Sequence, residues 1–210
     1  MYKRFLKRVL DIIFALVTLP ILIILLFVLG PIIYFQDRGF IFYIAPRLGM
    51  NGKIFKMYKF RTMKINAPDI RNEDGSTFSA ENDERLTKVG RFIRKTSLDE
   101  TPQLLNVIMG DMSIIGPRPD LPEHHKLYEG NENKKLEVRP GITGYNQVKF
   151  RNSVPWKERI QNDIYYIDKL TFWFDVKILF KTIESVIFKK GVFAGDQTAS
   201  DSRLGDEFNA

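Results

Sequence analysis

The sequence predicts a mixed α/β fold of irregular order: a small sheet with surrounding helices, an N-terminal membrane helix that re-enters, and amphipathic helices at the interface. Three observations predict it. One long apolar run without charge stands near the N-terminus. Short β-prone pieces joined by turn signals follow it. The remainder alternates short amphipathic stretches with Pro- and Gly-containing loops. A chain of 210 residues has room for one domain and an anchor.

Hydrophobic residues make up 44% and aromatics 13%, enough for a real core. The formal net charge of +7 suits nucleic acid, anionic lipid headgroups or phosphorylated substrates. The apolar run favours the last two and sets nucleic acid aside. There is no cysteine, which excludes disulfides and thiolate metal sites. The two histidines, His124 and His125, are adjacent, so their side chains diverge on any regular element and argue against zinc.

The first element is the run Ile12–Phe35, interrupted only by Thr18, Pro20, Gly30 and Pro31 among its aliphatic and aromatic residues. As a helix it extends about 36 Å, past the ~30 Å of a hydrocarbon core. A signal peptide would be shorter and followed by a small-residue cleavage site. A simple span is the other alternative, and the flanks speak against it. Lys3, Arg4, Lys7 and Arg8 precede the run; Arg38, Arg47, Lys53, Lys56, Lys59, Arg61 and Lys64 follow, with no acidic residue between Arg38 and Lys64. Basic flanks prefer the cytoplasm, so both ends ask for one side, which a re-entrant segment satisfies and a span does not. Pro20 is expected to kink the helix, with the Thr18 hydroxyl near the carbonyl it frees.

The next elements follow in order. Asn51-Gly52 predicts a hairpin between Leu48-Gly49-Met50 and Ile54-Phe55-Lys56. Residues 66–84 are polar, with Asp74-Gly75 as a turn, and read as a surface loop. Arg85–Arg94 reads as a short amphipathic helix. Thr101–Met109 is a helix with Thr101 as cap and Pro102 in the first position. Gly116-Pro117-Arg118-Pro119 and Arg139-Pro140-Gly141 are rigid turns. Leu121–Glu129 and Trp156–Tyr166 read as helical. Phe172–Lys190 carries Trp173, Phe174, Phe180 and Phe188 beside Lys177, Lys181, Lys189 and Lys190; it is either a core helix or an amphipathic helix in the headgroup region. From Ala194 the tail is polar and reads as disordered.

Asp99-Glu100 lies directly before the helix that Thr101-Pro102 opens. Free N–H groups at a helix N-terminus attract phosphate; two carboxylates there can hold a divalent metal, or one can attack phosphorus. Ser97-Leu98-Asp99-Glu100 also fits a capping box, and on the pattern alone that structural explanation wins. Lys59 and Arg61 place two cations on one face of a strand. Arg118 is fixed between Pro117 and Pro119, which suits a planar grip on phosphate or a stack on a base. Arg139, before Pro140-Gly141, could act similarly. No Walker or Rossmann fingerprint is present.

Taken together, these stretches carry a resemblance. Tyr58-Lys59-Phe60-Arg61-Thr62-Met63, Ser97 to Val107, Gly110 to Pro119, Val138 to Gly144, Trp156 to Tyr166 and Asp175 to Leu179 are similar, in order, to the small monotopic phosphoglycosyl transferases. These are bacterial enzymes that start glycan assembly on a lipid carrier. The resemblance runs from the basic N-terminus to about Gly191. It implies transfer of a sugar-1-phosphate from a UDP-sugar to polyprenyl phosphate, with UMP released and Mg²⁺ required. It implies Asp99 as the nucleophile that becomes phosphorylated, and Glu100 as base or metal residue beside it. Lys59, Arg61, Arg94, Arg118 and Arg139 are then expected to contact phosphate or uridine, with Pro117 and Pro119 shaping the site. Three positions depart from the usual pattern: Thr101 stands where leucine is common, Lys149-Phe150-Arg151 replaces Asn-Gly-Arg, and Leu19-Pro20 replaces Ser-Pro.

The expected organisation is an anchor over 1–36, a catalytic domain over 37–191 at the cytoplasmic face of the bacterial inner membrane, and a tail over 192–210. UDP-sugar, polyprenyl phosphate and membrane lipids are the expected partners. Two alternatives stand beside this: a non-enzymatic basic scaffold on anionic lipid, and a single-span nucleotide-binding protein.

Overall fold

The structure, a computed structural model, describes residues 2–72, 78, 82–150 and 154–187. The Asp74-Gly75 turn, Phe188 to Lys190 with the tail from 192, and Arg151 lie outside the described residues. After a π turn at Tyr2–Leu6, helix α1 (Lys7–Asp37) runs unbroken for 31 residues through Pro20 and Pro31. It is long and apolar enough to cross a membrane. Pro20 does not divide it. Proline withholds the amide that would reach the Leu16 carbonyl. The Thr18 hydroxyl donates instead to Phe14 O (2.8 Å) and Ala15 O (3.3 Å), so it does not serve that carbonyl.

One face of α1 buries Asp11, Ala15, Leu22, Leu29 and Ile33, at steps of four and seven that keep them on one side. The other face leaves Val17, Ile24, Phe27 and Phe35 exposed. Both ends are tied to the same body. Near the start, Arg8 donates to Val107 O (2.6 Å) and Ile108 O (3.2 Å), and Asp11 Oδ1 accepts from the Ile114 N–H (3.0 Å). At the other end, both Asp37 oxygens accept from Arg61 at 2.6 Å.

Strands β1 (Phe42–Leu48) and β2 (Ile54–Phe60) form the predicted hairpin, longer than the turn signal alone suggested. Their register runs from Phe42↔Phe60 to Leu48↔Ile54. Asn51 (φ 57) and Gly52 (φ 74) supply the two positive angles the tight turn needs. Helix α2 (Lys88–Lys95) begins three residues later than expected, because Thr87 caps it by accepting from the Gly90 N–H (2.9 Å). Arg85 instead pairs with Asp83 at 2.6 Å, both buried. Gly90 lets α2 cross the chain at Thr62: a Cβ there would lie 1.8 Å from Thr62 O.

Helix α3 (Gln103–Met109) leads into β3 (Ser113–Ile115), which pairs in parallel with β4 (Gly141–Thr143). Among the described residues the expected small β structure is divided between two two-stranded sheets. The Leu121–Glu129 expectation becomes a 3-10 segment, Pro122–Leu127, and a second one covers Glu132–Glu137. Helices α4 (Tyr145–Lys149), α5 (Trp156–Asp168) and α6 (Phe172–Ile187) close the domain. The core joins α1 to Phe60, Ile93, Val107, Met112, Tyr166 and Ile178. Full burial of each large apolar side chain contributes about 1.5–3 kcal/mol. Helix α6 has one side in the core and one side exposed. Ile178 and Asp175 are buried, while Trp173 and Phe180 are about 70% exposed on the other side.

Candidate active site

The centre of the site is a one-turn 3-10 segment, Leu98–Glu100, between α2 and α3. Helix α3 starts two residues after the predicted position. The Thr101 hydroxyl donates back to Leu98 O at 2.8 Å and caps nothing ahead of it. The capping-box explanation for the acidic pair also fails. Ser97 stands at φ 56 in the left-handed region with no side-chain cap bond, and Glu100 turns away to two cations. A non-glycine residue held at positive φ beside two carboxylates is strain of the kind that accumulates at functional sites.

Glu100 Oε1 accepts from Lys59 Nζ at 2.7 Å, and from Arg118 Nη1 and Nη2 at 3.4 Å each. Its side chain is 21% exposed. Burial alone would raise its carboxyl; the Lys59 ammonium and Arg118 guanidinium outweigh that and hold it well below the ordinary range. Asp99 is nearly fully buried. Burial pushes it up to about 6, against the pull of Lys59, with Glu100 adding to the rise and Arg94 and Arg118 opposing it. The two adjacent carboxylates are thus split in role by environment: one is locked as an anion in ion pairs, the other is poised near neutrality with no side-chain ion pair of its own among the described residues.

Arg94 comes from α2. Burial pulls its guanidinium down, and nearby Asp99 partly restores it. Its Nη1 is buried without a hydrogen-bond partner. A cation with an unused donor beside a buried carboxylate is a ready contact for an anionic ligand. Arg118 rides on the loop after β3, half exposed, between Pro117, which is buried, and Pro119.

Two predicted residues go elsewhere. Arg61 spends its guanidinium on Asp37 and on Phe40 O (2.6 Å), Met63 O (3.2 Å) and Ile33 O (3.2 Å). It fastens the end of α1 and has no contact with Asp99 or Glu100. Arg139 Nε donates to Gly110 O at 2.8 Å, so it caps the far end of α3, where Arg8 also binds carbonyls. Cations are favoured at that end by the helix dipole. Thr18 and Pro20 lie on α1 and do not touch the acidic pair.

Sequence reasoning missed Asn106. It is fully buried. Its Nδ2 donates to Lys56 O (2.7 Å) and its Oδ1 accepts from the Tyr58 N–H (3.0 Å). It pairs with β2 as a neighbouring strand would, and so fixes the strand bearing Lys59 against the helix that follows Glu100. The signal was an asparagine inside an apolar helix face, where an amide needs partners.

Among the described residues no cluster of three or more acidic or histidine side chains converges on a metal site. His124 packs against Trp156, with centroids 4.7 Å apart, and His125 bonds Asn133. Asp99 and Glu100 offer a pair of oxygen donors. That set fits Mg²⁺, which takes one or two carboxylates and completes its shell with water and substrate phosphate.

A family model for the bacterial sugar transferases matches residues 2–189. The chain belongs to that family. It is 40% identical over 208 residues to the undecaprenyl-phosphate galactose phosphotransferase of Salmonella typhimurium, covering 91% of this chain and 42% of that one. It is 37% identical to the UDP-glucose:undecaprenyl-phosphate glucose-1-phosphate transferase of Escherichia coli K12, with 91% and 42% covered. The chain thus spans less than half the length of these family members. It is 39% identical to the exopolysaccharide production protein ExoY of Rhizobium meliloti, covering 89% of this chain and 88% of that one.

Proposed function

We propose that this chain moves a sugar-1-phosphate from a UDP-sugar to polyprenyl phosphate and releases UMP, as the first membrane step of bacterial glycan assembly. One observation carries the reading: a buried Asp99, raised toward neutrality, faces Lys59, Arg94 and Arg118 while Glu100 is held ionised beside it. Phosphoryl transfer needs positioning and charge neutralisation above all, and this is such an arrangement. The printed names of the Salmonella and E. coli relatives support the acceptor, and the latter supports the donor class.

The reaction runs in two displacements. An Asp99 carboxylate oxygen attacks the phosphorus that bears the sugar. The P–O bond to the UMP phosphate breaks, and UMP leaves with the electron pair. A phosphate oxygen of the lipid then attacks the same phosphorus, the acyl-phosphate bond breaks, and Asp99 returns as a carboxylate. Lys59, Arg94 and Arg118 neutralise the phosphate oxygens in both steps. Glu100 aims Lys59. Asp99 and Glu100 would hold Mg²⁺, which would supply further neutralisation of the diphosphate. A covalent route lets two unlike substrates use one site in turn.

Helix α1 is the anchor. Its two ends are fastened to one body through Arg8 and Asp11 at the start and Asp37 at the finish. Its apolar face is left outward. This supports a re-entrant helix with both ends on the cytoplasmic side, which sets Asp99 at headgroup level, where a lipid phosphate meets a soluble nucleotide sugar. The test is UMP release by the protein in lipid nanodiscs, with undecaprenyl phosphate and a panel of UDP-sugars. Release with at least one sugar is expected. Release with none would leave a basic membrane-surface scaffold as the better description.

A further inference from the structure

Arg118 reaches Glu100 weakly. Both of its terminal nitrogens stand 3.4 Å from a single oxygen, and its side chain is 52% exposed. Glu100 therefore does little to aim it, and its loop must. The loop is clamped at both ends. On one side, Gly116 N donates to Thr143 O (2.8 Å) and Pro117 O accepts from the Gly141 N–H (2.9 Å). The packing there is so close that a Cβ on Gly116 would stand 2.6 Å from Arg139 O.

On the other side stands Asp120, two residues past Arg118. Its main-chain oxygen accepts from the Leu48 N–H at 2.9 Å, at the end of β1. Its carboxylate accepts from three donors: Lys135 Nζ (2.6 Å), Tyr128 Oη (2.6 Å) and Trp156 Nε1 (3.1 Å). Lys135 is 5% exposed and also pairs with Asp163 at 3.0 Å, itself 2% exposed. A buried lysine between two carboxylates is costly to assemble and weak evidence for stability. What it does provide is one geometry, because each member has fixed partners on another element: Lys135 in Glu132–Glu137, Trp156 and Asp163 in α5.

We propose that Asp120, gripped by Lys135, is a positioning residue that aims Arg118 at the diphosphate of the nucleotide sugar. The inference rests on the function proposed above and adds a residue outside the acidic pair and its cations. Arg118 is too exposed and too loosely paired to hold its own direction, and Asp120 is the nearest side chain in the loop with a closed set of partners. Loss of the Asp120 charge frees the loop end, and the guanidinium then samples many directions at the cost of binding.

The experiment is a double-mutant cycle read by UDP binding to the full chain in nanodiscs, measured by calorimetry, with thermal unfolding recorded for every variant. Asp120→Asn is expected to weaken UDP about tenfold in the native background and to change it less than about twofold when Arg118→Ala is already present. Tyr128→Phe, which removes one donor and keeps Lys135 in place, is the gentler variant for a case where Asp120→Asn does not fold. It is expected to weaken UDP by about twofold to threefold, again only when Arg118 is present. Equal losses in both backgrounds, or none in either, would overturn the positioning role while leaving the proposed function intact. No binding of UDP by the unaltered chain would overturn the functional reading, and the inference with it.

Discussion

Lys59 stands near the end of β2 and Arg61 just past it, and they serve two different ends of the molecule. Lys59 turns to Glu100 at 2.7 Å, beside Asp99. Arg61 turns to Asp37 with two bonds of 2.6 Å and takes three main-chain carbonyls as well. Lys59 keeps a point charge next to the buried Asp99 carboxylate. Arg61 uses its planar fork to lock the end of α1 to the domain. The lesson is that a cation contributes to chemistry only where its donors are not already satisfied. The end of β2 and the residue after it carry both jobs, so the anchor and the site are mechanically one piece.

That contrast can be broken from either side. The largest effect is expected at the centre of the site. Asp99→Asn removes the attacking oxygen, and UMP release falls by at least ~10³-fold, while flotation with lipid vesicles is unchanged. Full turnover by that variant would dispose of the covalent route. Next comes Lys59→Met, which costs about 10²-fold in kcat/KM and also lowers stability, because it leaves Glu100 with only the longer Arg118 contact. Arg61→Met is expected to spare turnover and to act on stability alone. It strands Asp37 at the end of α1 and lowers stability by about 2–3 kcal/mol, less than for a fully buried pair because Asp37 is part exposed. Turnover per folded molecule changes less than about threefold. Unfolding and turnover measured on both variants decide the matter; a swap of the two signatures would reverse the assignment.

The smallest effects concern protons. On the proposed route Asp99 attacks as an anion, so UMP release is expected to decline as pH falls through about 6, and a profile flat down to pH 4.5 would contradict that role. The same shift has a stability consequence. The folded state holds the Asp99 proton up to about 6, whereas an isolated carboxyl lets go near 3.8. Between those values the folded state binds more protons, so stability drops as pH rises through that window and stays lower above it. Asp99→Asn is therefore expected to gain stability at pH 7 and none at pH 3.5. Chemical unfolding at the two pH values checks it.

Much of this was legible in the residues. The uncharged run announced α1, Asn51-Gly52 announced the hairpin, and Asp99-Glu100 with Arg118 between two prolines marked the site. Local rules also misled. Thr101-Pro102 looked like a helix start, yet a 3-10 turn intervenes, and it turns Glu100 to Lys59 and Arg118 rather than continuing into α3. Arg139 was read as a phosphate ligand, and the structure adds a contact the sequence did not suggest, its Nε donating to the carbonyl of Gly110. The partner of Arg61 was hidden because Asp37 lies just outside the basic run that drew attention. Asn106 and Lys135 were silent for another reason: a polar residue in the interior is recognised by its partners, and those partners are distant in sequence.

By itself, then, the sequence determined the apolar anchor, the turn positions and the residue types at the reactive centre, since each depends on hydrophobicity, backbone angles or chemistry within a few residues. Only the tertiary structure decided which cations stay available. Arg61 was taken up by Asp37, 24 residues away, the Nε of Arg139 was turned to Gly110, 29 residues away, and Lys59 was carried to Glu100 across 41 residues. Charge pairing over such separations depends on how α1, β2 and α3 pack, and that packing is set by the whole core.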